Sequence, residues 1–228
     1  MSVIENNSAA QRGVGDDQGT NGAASGIADG ASVTAPVSIA PKRTDAPAKV
    51  RILETADRLF YEDGIRTVGI DRLIGESNVT KATFYKHWGS KDRLILHYLE
   101  GRHRSVQSLV GELVAGLEDP VAVLRGLTDA ISAEIDKPGF RGCPFINAAA
   151  EYADPASPAR EMVSTHREWY TDTLTELLRD AGHPLPGDAA DDLMLARDGA
   201  MVGGYAGDSV SASAAFRRTT ERVVKEAA

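Results

Sequence analysis

Cysteine is almost absent from this chain of 228 residues, which contains only Cys143. A single cysteine excludes an internal disulfide framework and is typical of a reducing compartment, so we expect a cytoplasmic protein. Long hydrophobic runs are absent as well, because no apolar stretch reaches the roughly 18 residues that a membrane span requires. The polar N-terminus lacks the features of a signal peptide. We therefore expect no membrane partner.

Patterns that carry catalysis or metal binding are also missing. The five histidines are scattered without ligand spacing, and there is no Gly-rich phosphate loop, so we predict neither a metal nor a cofactor. An enzyme would have to use Cys143 as nucleophile and His166 as base, helped by Glu151, yet nothing in the sequence fixes their geometry. We predict that the chain is not an enzyme. A helical adaptor that works through its acidic surface is the other alternative.

Positive charge is scarce overall, since 25 Lys and Arg face 33 Asp and Glu and the net charge is −8. The charge is unevenly distributed. Residues 1–47 carry three basic and five acidic side chains, residues 48–104 carry eleven and eight, and residues 105–228 carry eleven and twenty. Attraction to phosphate is screened over about 10 Å at physiological salt, so it acts locally. An acidic protein with one mildly basic region can therefore still bind a DNA duplex.

Strand signals are absent, and apolar residues recur at helical spacing, which predicts an all-α fold. Residues 1–47 are the exception, because they are rich in Gly, Ala, Ser and Asp, and we predict that they are disordered. Lys42 and Arg43 either belong to a solvated linker or touch DNA. A first helix is predicted at 48–63, with Gly64 as its stop. Further helices are predicted at 90–116, 119–136, 144–152, 160–181, 188–205 and 212–226.

Two short helices are predicted between these segments, at about 70–77 and 79–88, with a turn at Asn78. This is the layout of a helix-turn-helix, whose second helix enters the major groove of DNA. Asn tolerates the left-handed backbone of such a turn better than most residues do. The pair of helices therefore predicts DNA binding.

Several motifs in this region occur in the order and at the intervals of a known family. Residues 51–60, Gly64, 70–74, 79–85 and 90–94 together resemble the N-terminal domain of the TetR family of bacterial transcription regulators. Two positions depart from the family pattern: Asn78 replaces the usual turn glycine, and Gly69 replaces a capping Ser or Thr. The resemblance implies a three-helix DNA-binding domain at 48–107, here called the head, with its helix-turn-helix at about 70–89. It also implies a larger effector-binding and dimerisation domain at 108–228, here called the body.

The predicted recognition helix carries side chains suited to contacts with DNA. Lys81 can donate to guanine, and the methyl group of Ala82 can pack against a thymine methyl. The other polar side chains can donate to phosphate oxygens, which orient a domain without specifying sequence. The resemblance implies backbone contacts for Tyr85 and Lys91, whereas we expect Phe84 and Trp88 in the core of the head. The predicted DNA-binding residues are Thr80, Lys81, Ala82, Thr83, Tyr85, Lys86, His87 and Lys91.

A single head buries too little surface for tight specific binding, so we expect a homodimer on a palindromic operator in double-stranded DNA. The resemblance places the dimer contact on the last two long helices of the body, which we take to be 160–181 and 188–205. The small-residue run 199–204 either allows close approach of the partner helix or serves packing within one subunit.

The resemblance also implies a pocket in the body for a small-molecule effector that releases DNA when it binds. The aromatic, Met, Asn and His side chains of the body are candidates for its lining, and each can equally be plain core. They favour an apolar or aromatic effector. The candidates are Phe140, Phe145, Asn147, Met162, His166, Trp169, Met201 and Tyr205.

Cys143 offers an alternative mode of regulation. The segment 142–147, with Glu151 one turn beyond, resembles part of one branch of the family in which a cysteine sometimes senses electrophiles or oxidants. A reactive thiol needs a cause for a lowered pKa, and Cys143 lies at a predicted helix start close to Arg141. The other interpretation is a buried cysteine that acts as a small apolar residue. The function predicted first is a ligand-responsive repressor, with a thiol-based sensor as the alternative.

Overall fold

The computed structural model describes residues 47–227, and this range contains nine helices and no strand. The all-α prediction is confirmed. The helices are α1 (Ala48–Asp63), α2 (Ile70–Ser77), α3 (Lys81–Trp88), α4 (Lys91–Gly116), α5 (Pro120–Ile135), α6 (Pro144–Glu151), α7 (Pro158–Asp180), α8 (Pro186–Ala206) and α9 (Ser209–Lys225). The predicted disorder of 1–47 and the roles suggested for Lys42 and Arg43 lie outside the described residues, apart from Pro47.

Local chemistry explains where most helices begin. Proline occupies the first turn of α5, α6, α7 and α8, where its fixed φ suits a helix and its missing N–H costs nothing. Side-chain caps start others: the Ser90 hydroxyl accepts a hydrogen bond from the Arg93 N–H at 3.2 Å, which confirms the predicted cap of α4. Gly69 precedes α2 without any side-chain cap, as its sequence requires.

The turn between α2 and α3 depends on Asn78, which has φ 51° and ψ 56°. It is the one non-glycine residue with positive φ between residues 47 and 227. Its N–H donates to the Gly75 carbonyl, and the Val79 N–H donates to the Ile74 carbonyl, both at 3.2 Å. The expectation that Asn replaces glycine in a left-handed turn is confirmed.

The core of the head forms where α1, α2, α3 and the first half of α4 meet. Leu59, Leu73, Phe84 and Leu94 are completely buried there, and Trp88 is nearly so. Burying a side chain of this size stabilises the fold by about 1.5–3 kcal/mol. The predicted core positions of Phe84 and Trp88 are therefore confirmed, and the two aromatic rings hold the recognition helix against the rest of the head.

The body has a second core between α5, α7, α8, α9 and the last turns of α4, with Leu124, Leu178 and Leu193 among its most buried residues. The first core continues from the head into the body through α6, because Phe145 and Ala148 pack in the same cluster as the residues of α1 and α4. The predicted boundary at residue 107 falls inside α4, a single helix that belongs to both parts. Among the described helices, none is long and apolar enough to cross a membrane.

Candidate nucleic-acid interface and effector cavity

The outer face of α3 is exposed and held in shape by its own cap. The Thr80 hydroxyl accepts from the Thr83 N–H at 3.1 Å and lies 2.8 Å from the Thr83 hydroxyl, so these two predicted contact residues also bind each other. The other predicted residues of this helix are exposed to solvent. They are Lys81, Ala82, Tyr85, Lys86 and His87.

Charge is distributed differently on α3 and on the helices beside it. Arg58 pairs with Glu62 and Glu76, and Arg72 pairs with Asp63 and Glu76, so the charges of these two arginines on α1 and α2 are largely neutralised. Lys81 and Lys86 take part in no ion pair among the described residues. The recognition helix therefore keeps its positive charge available for phosphate oxygens or base edges.

Lys91 is placed differently from the other predicted DNA-binding residues. Its ammonium group donates to the Ile65 carbonyl at 2.6 Å and lies 5.8 Å from the centre of the Phe60 ring. Burial lowers the pKa of Lys91, with Glu151 and Asp92 acting in the opposite direction. A phosphate at this position has to compete with a contact that Lys91 already makes inside the head.

The head is held to the body at both ends of α6. At its C-terminal end, the Glu151 carboxylate accepts hydrogen bonds from the N–H groups of Ile65 and Arg66, at 2.9 and 2.6 Å. Just before its N-terminal end, the Tyr61 hydroxyl donates to the Gly142 carbonyl at 3.0 Å and accepts from the Arg141 N–H at 2.9 Å. A displacement of α6 must therefore act on α1 and on the loop that leads into α2.

A cavity of about 220 Å³ lies in the body beside the start of α6. Its polar lining consists of Arg102, Glu134, Tyr170 and Arg197. The rest of the wall is mainly apolar, and it includes Val106, Leu109, Leu127, Ile131, Phe145 and Met201. A concave, mainly apolar space with a few polar groups is the usual form of a small-molecule site.

The structure places the predicted effector residues in different surroundings. Phe145 and Met201 line the cavity, whereas the other six do not. The Asn147 side chain donates to the Arg141 carbonyl at 2.8 Å, and the Tyr205 hydroxyl accepts from the Arg141 guanidinium. Met162 and Phe140 pack against the core. His166 and Trp169 form an aromatic group with Phe145, His103 and Tyr170 beside the cavity.

Sequence reasoning missed Arg197, which is 6% exposed. It lies on α8 four residues after Leu193 and four before Met201, so it shares their buried face. That spacing is the signal that would have found it, because an arginine within an apolar stripe needs a buried partner. Its Nη1 donates to Asp198 at 2.7 Å and its Nη2 donates to Cys143 at 3.4 Å.

Cys143 is buried, and its sulfur faces the Arg197 guanidinium. The hydrolase-like alternative does not fit this arrangement. His166 stacks on Phe145 at 3.6 Å and its Nδ1 lies 3.1 Å from that of His103, while Glu151 holds the loop at 65–66. The imidazole and the carboxylate are therefore engaged elsewhere, and no nucleophile–base–acid relay is formed. Between residues 47 and 227, no group of three His, Cys, Asp or Glu side chains is suited to hold a metal.

Known proteins share this arrangement. A family model for bacterial regulatory proteins of the tetR family matches residues 52–98, which span the head. SCO4454, a TetR-family transcriptional regulator from Streptomyces coelicolor, is 41% identical and superimposes with a TM-score of 0.76 over 78% of this chain and 95% of that one. The chain belongs to the TetR family. It is thus a DNA-binding transcriptional regulator, and the relatives are regulators rather than enzymes.

More distant members agree with this placement. The HTH-type transcriptional regulator LmrA of Bacillus subtilis (strain 168) is 25% identical over 138 residues, which are 59% of this chain and 73% of LmrA. A TetR family regulator from Agrobacterium tumefaciens is 21% identical with a TM-score of 0.70, over 80% of this chain and 99% of that one, and it shows the shared fold.

His166 makes the stability of the body depend on pH. Burial, followed by Arg197, His103 and Arg167, lowers its pKa from 6.5 to about 3. Below its ordinary pKa the unfolded chain binds a proton that the folded chain does not, so the free energy of unfolding falls as pH drops through this window. Between about pH 7.5 and pH 5, we expect the His166 contribution to fall by about 1–2 kcal/mol.

Urea unfolding of wild type and His166→Phe at a fixed protein concentration measures this effect, since the ring of Phe can still stack on Phe145. The variant should lose less stability than wild type over the same pH range. The exposed His87→Asn variant is the control for removing a histidine elsewhere. Equal losses in wild type and His166→Phe would contradict the assignment.

Proposed function

We propose that the protein is a ligand-responsive repressor that binds a palindromic operator as a homodimer and releases it when a small molecule enters the cavity of the body. Two features of the structure carry the proposal together. On α3, Lys81 and Lys86 form no ion pair with the described residues, and α6 joins the cavity to the head. Repression follows if the operator overlaps a promoter and the bound dimer blocks polymerase. Such a regulator acts on DNA in the cytoplasm.

Specific binding would divide between two kinds of contact. Lys81 and Ala82 stand in the first turn of α3, from which a recognition helix reaches base edges. Tyr85, Lys86 and His87 are farther along and suit phosphate oxygens, which position the head without specifying sequence. The first group therefore determines which operator is bound, and the second contributes affinity for any duplex.

The surface best suited to a second copy of the chain lies on α8 and α9. Leu195 and Val202 are 70% and 50% exposed on one stripe of α8, with Gly199 between them, and Val210 at the start of α9 is 72% exposed. The exposed residues of α7, by contrast, are mostly polar, including Glu168 and many other charged or hydroxyl side chains. We therefore propose that the dimer contact lies on α8 and α9. The family resemblance had implied 160–181 and 188–205, which correspond to α7 and α8.

The small-residue run of α8 serves both uses that the sequence left open. A β-carbon at Gly204 would collide with Ile135 of α5, and one at Gly203 would lie 3.3 Å from Ala212 of α9, so these two positions pack within the subunit. At Gly199, no atom of the described part of the chain lies within 4 Å of the same point. Gly199 is thus the member of the run that is available for close approach by a partner helix.

Release of DNA would follow from the path through α6. Phe145 in its first turn lines the cavity, and Glu151 in its last turn holds the loop before α2. A ligand that binds Phe145 more tightly when α6 is displaced would favour the displaced position of α6. That displacement would change the angle between the two heads of the dimer. Two heads that no longer match the spacing of successive major grooves lose the operator.

A thiol-based sensor is the second candidate function, because the Arg197 guanidinium lies 3.4 Å from the Cys143 sulfur. Oxidants attack cysteine sulfur, and this sulfur lies beside a buried charged group at the cavity wall. Oxidation at this point would break the contact with Arg197 next to the cavity and at the start of α6. The same structural path to the head would then serve a different signal.

The DNA-binding proposal is tested by selecting genomic fragments on the wild-type protein and measuring affinities for the site obtained. Lys81→Ala should weaken the selected site by about 1–3 kcal/mol while changing random DNA little. Lys86→Ala, the matched control on the same helix, should weaken both DNAs to a similar extent. Equal losses on both DNAs for Lys81→Ala, or a selected site without two-fold symmetry, would count against the proposal.

The dimer is tested with Val202→Glu, which places a charge in the proposed contact. We expect this variant to sediment as a monomer under conditions where wild type is a dimer, and to lose most of its operator affinity because the two heads become independent. Val114→Glu is the matched control, since Val114 is 51% exposed on α4, away from α8 and α9. A dimeric Val202→Glu protein would show that the contact lies elsewhere.

The sensor alternative is tested by mild peroxide followed by peptide mass spectrometry and a gel shift. Oxidation of Cys143 accompanied by loss of operator binding, absent in Cys143→Ser, would support it. An unmodified Cys143 would eliminate it and leave the ligand response as the mode of regulation.

A further inference from the structure

We propose that the cavity of the body binds a small apolar molecule that carries a carboxylate, with Arg197 and Tyr170 as the groups that hold the carboxylate. This inference rests on the proposed ligand response and names the class of ligand. It is carried by a buried guanidinium that lines the cavity, has an excess of positive charge around it, and has a donor without a partner.

The excess charge arises from a shared carboxylate. Asp198 accepts from Arg197 at 2.7 Å and from Arg167 at 2.6 Å, so one negative charge faces two positive ones. The other charges of the cavity wall are compensated, because Arg102 pairs with Asp57 at 2.8 Å and Glu134 pairs with Lys137 at 2.5 Å. The charge of the buried Arg197 is therefore only partly compensated, and incomplete compensation of a buried charge is costly.

The donors of Arg197 are also incompletely used. Its Nε is buried and has no hydrogen-bond partner among the described residues. Its Nη2 reaches only the Cys143 sulfur, which is a weak acceptor. A guanidinium offers five N–H donors in a planar fork that matches the two oxygens of a carboxylate. The missing strong acceptor is therefore of the kind that a ligand carboxylate supplies.

Tyr170 lies beside Arg197 in the cavity wall, since the Arg197 guanidinium is 5.4 Å from the centre of its ring. Burial is the main cause that raises the pKa of Tyr170. The hydroxyl consequently stays protonated at neutral pH and can donate a hydrogen bond to an anionic oxygen.

The remaining wall determines the rest of the ligand. It is formed largely by aliphatic and aromatic side chains such as Leu109, Leu127, Ile131 and Phe145. The hydroxyls of a sugar or polyol would lose their hydrogen bonds to water there without gaining others. The volume of about 220 Å³ is below the roughly 300–1,000 Å³ of sites for drug-sized ligands. A short aliphatic or single-ring acid fits both the apolar wall and the small volume of the cavity.

The experiment compares hexanoate and benzoate with hexanamide and benzamide, which match them in shape but carry no charge. Calorimetry on the full chain without DNA should show saturable binding of each acid, and about tenfold or weaker binding of each amide, because a charged hydrogen bond is lost. Arg197→Gln should weaken the acids by a similar factor and leave the amides unchanged. Arg125→Gln, which removes an exposed arginine paired with Glu221 on the surface, is the matched control.

Two further variants keep the test independent of whether Arg197→Gln folds. Tyr170→Phe keeps the ring and removes only the hydroxyl, so it should weaken the acids several-fold and leave the amides unaffected. Ala130→Leu enlarges a side chain of the cavity wall and fills part of the cavity. It should therefore abolish binding of both acids although Arg197 is intact. Circular dichroism establishes which variants are folded.

The proposal is overturned if neither acid shows saturable binding, if the amides bind as tightly as the acids, or if folded Arg197→Gln and Ala130→Leu bind the acids like wild type. A gel shift with the selected operator separates this outcome from the fate of the proposed function. Acids that bind through Arg197 without releasing DNA would confirm the ligand class and refute the ligand response.

Discussion

One carboxylate joins the end of α6 to the DNA-binding head. Glu151 accepts two backbone N–H groups from the loop at 65–66, at 2.9 and 2.6 Å, and charged acceptors make such bonds stronger than neutral ones. Gly64 permits this approach, because its φ is 91° and a β-carbon there would lie 3.3 Å from a Glu151 oxygen. A helix of eight residues is only about 12 Å long, so we expect α6 to move as a rigid body. A displacement of Phe145 would then also displace Glu151.

The overall charge of −8 and the DNA-binding function are reconciled by where ion pairs form. On α1 and α2, Arg58 and Arg72 pair with carboxylates, whereas no carboxylate of residues 47–227 pairs with a lysine of α3. Since phosphate attraction acts over about a Debye length, these local arrangements matter more than the sum over the chain.

The fold could be predicted from sequence because its signals are local. Pro158 and Gly182 bound α7, so the predicted 160–181 differs from the observed Pro158–Asp180 by two residues or fewer at each end. The cavity could not be predicted in the same way. Its lining comes from α4, α5, α6, α7 and α8, and the direction of each side chain depends on packing between segments far apart in sequence. Aromatic and Met residues were therefore expected there, while Arg197 was recognised only from the structure.

The cavity reaches the head by two routes, through which the proposed ligand would act on it. Arg102 lines the cavity and also binds Asp57 of α1, while Phe145 lines the cavity and belongs to the helix that ends in Glu151. A ligand that engaged only one route would leave the other to hold α1 in place. Because both routes start from the same wall, a single occupant can favour one arrangement of both contacts over the other. That differential preference is what a coupling between the two sites requires.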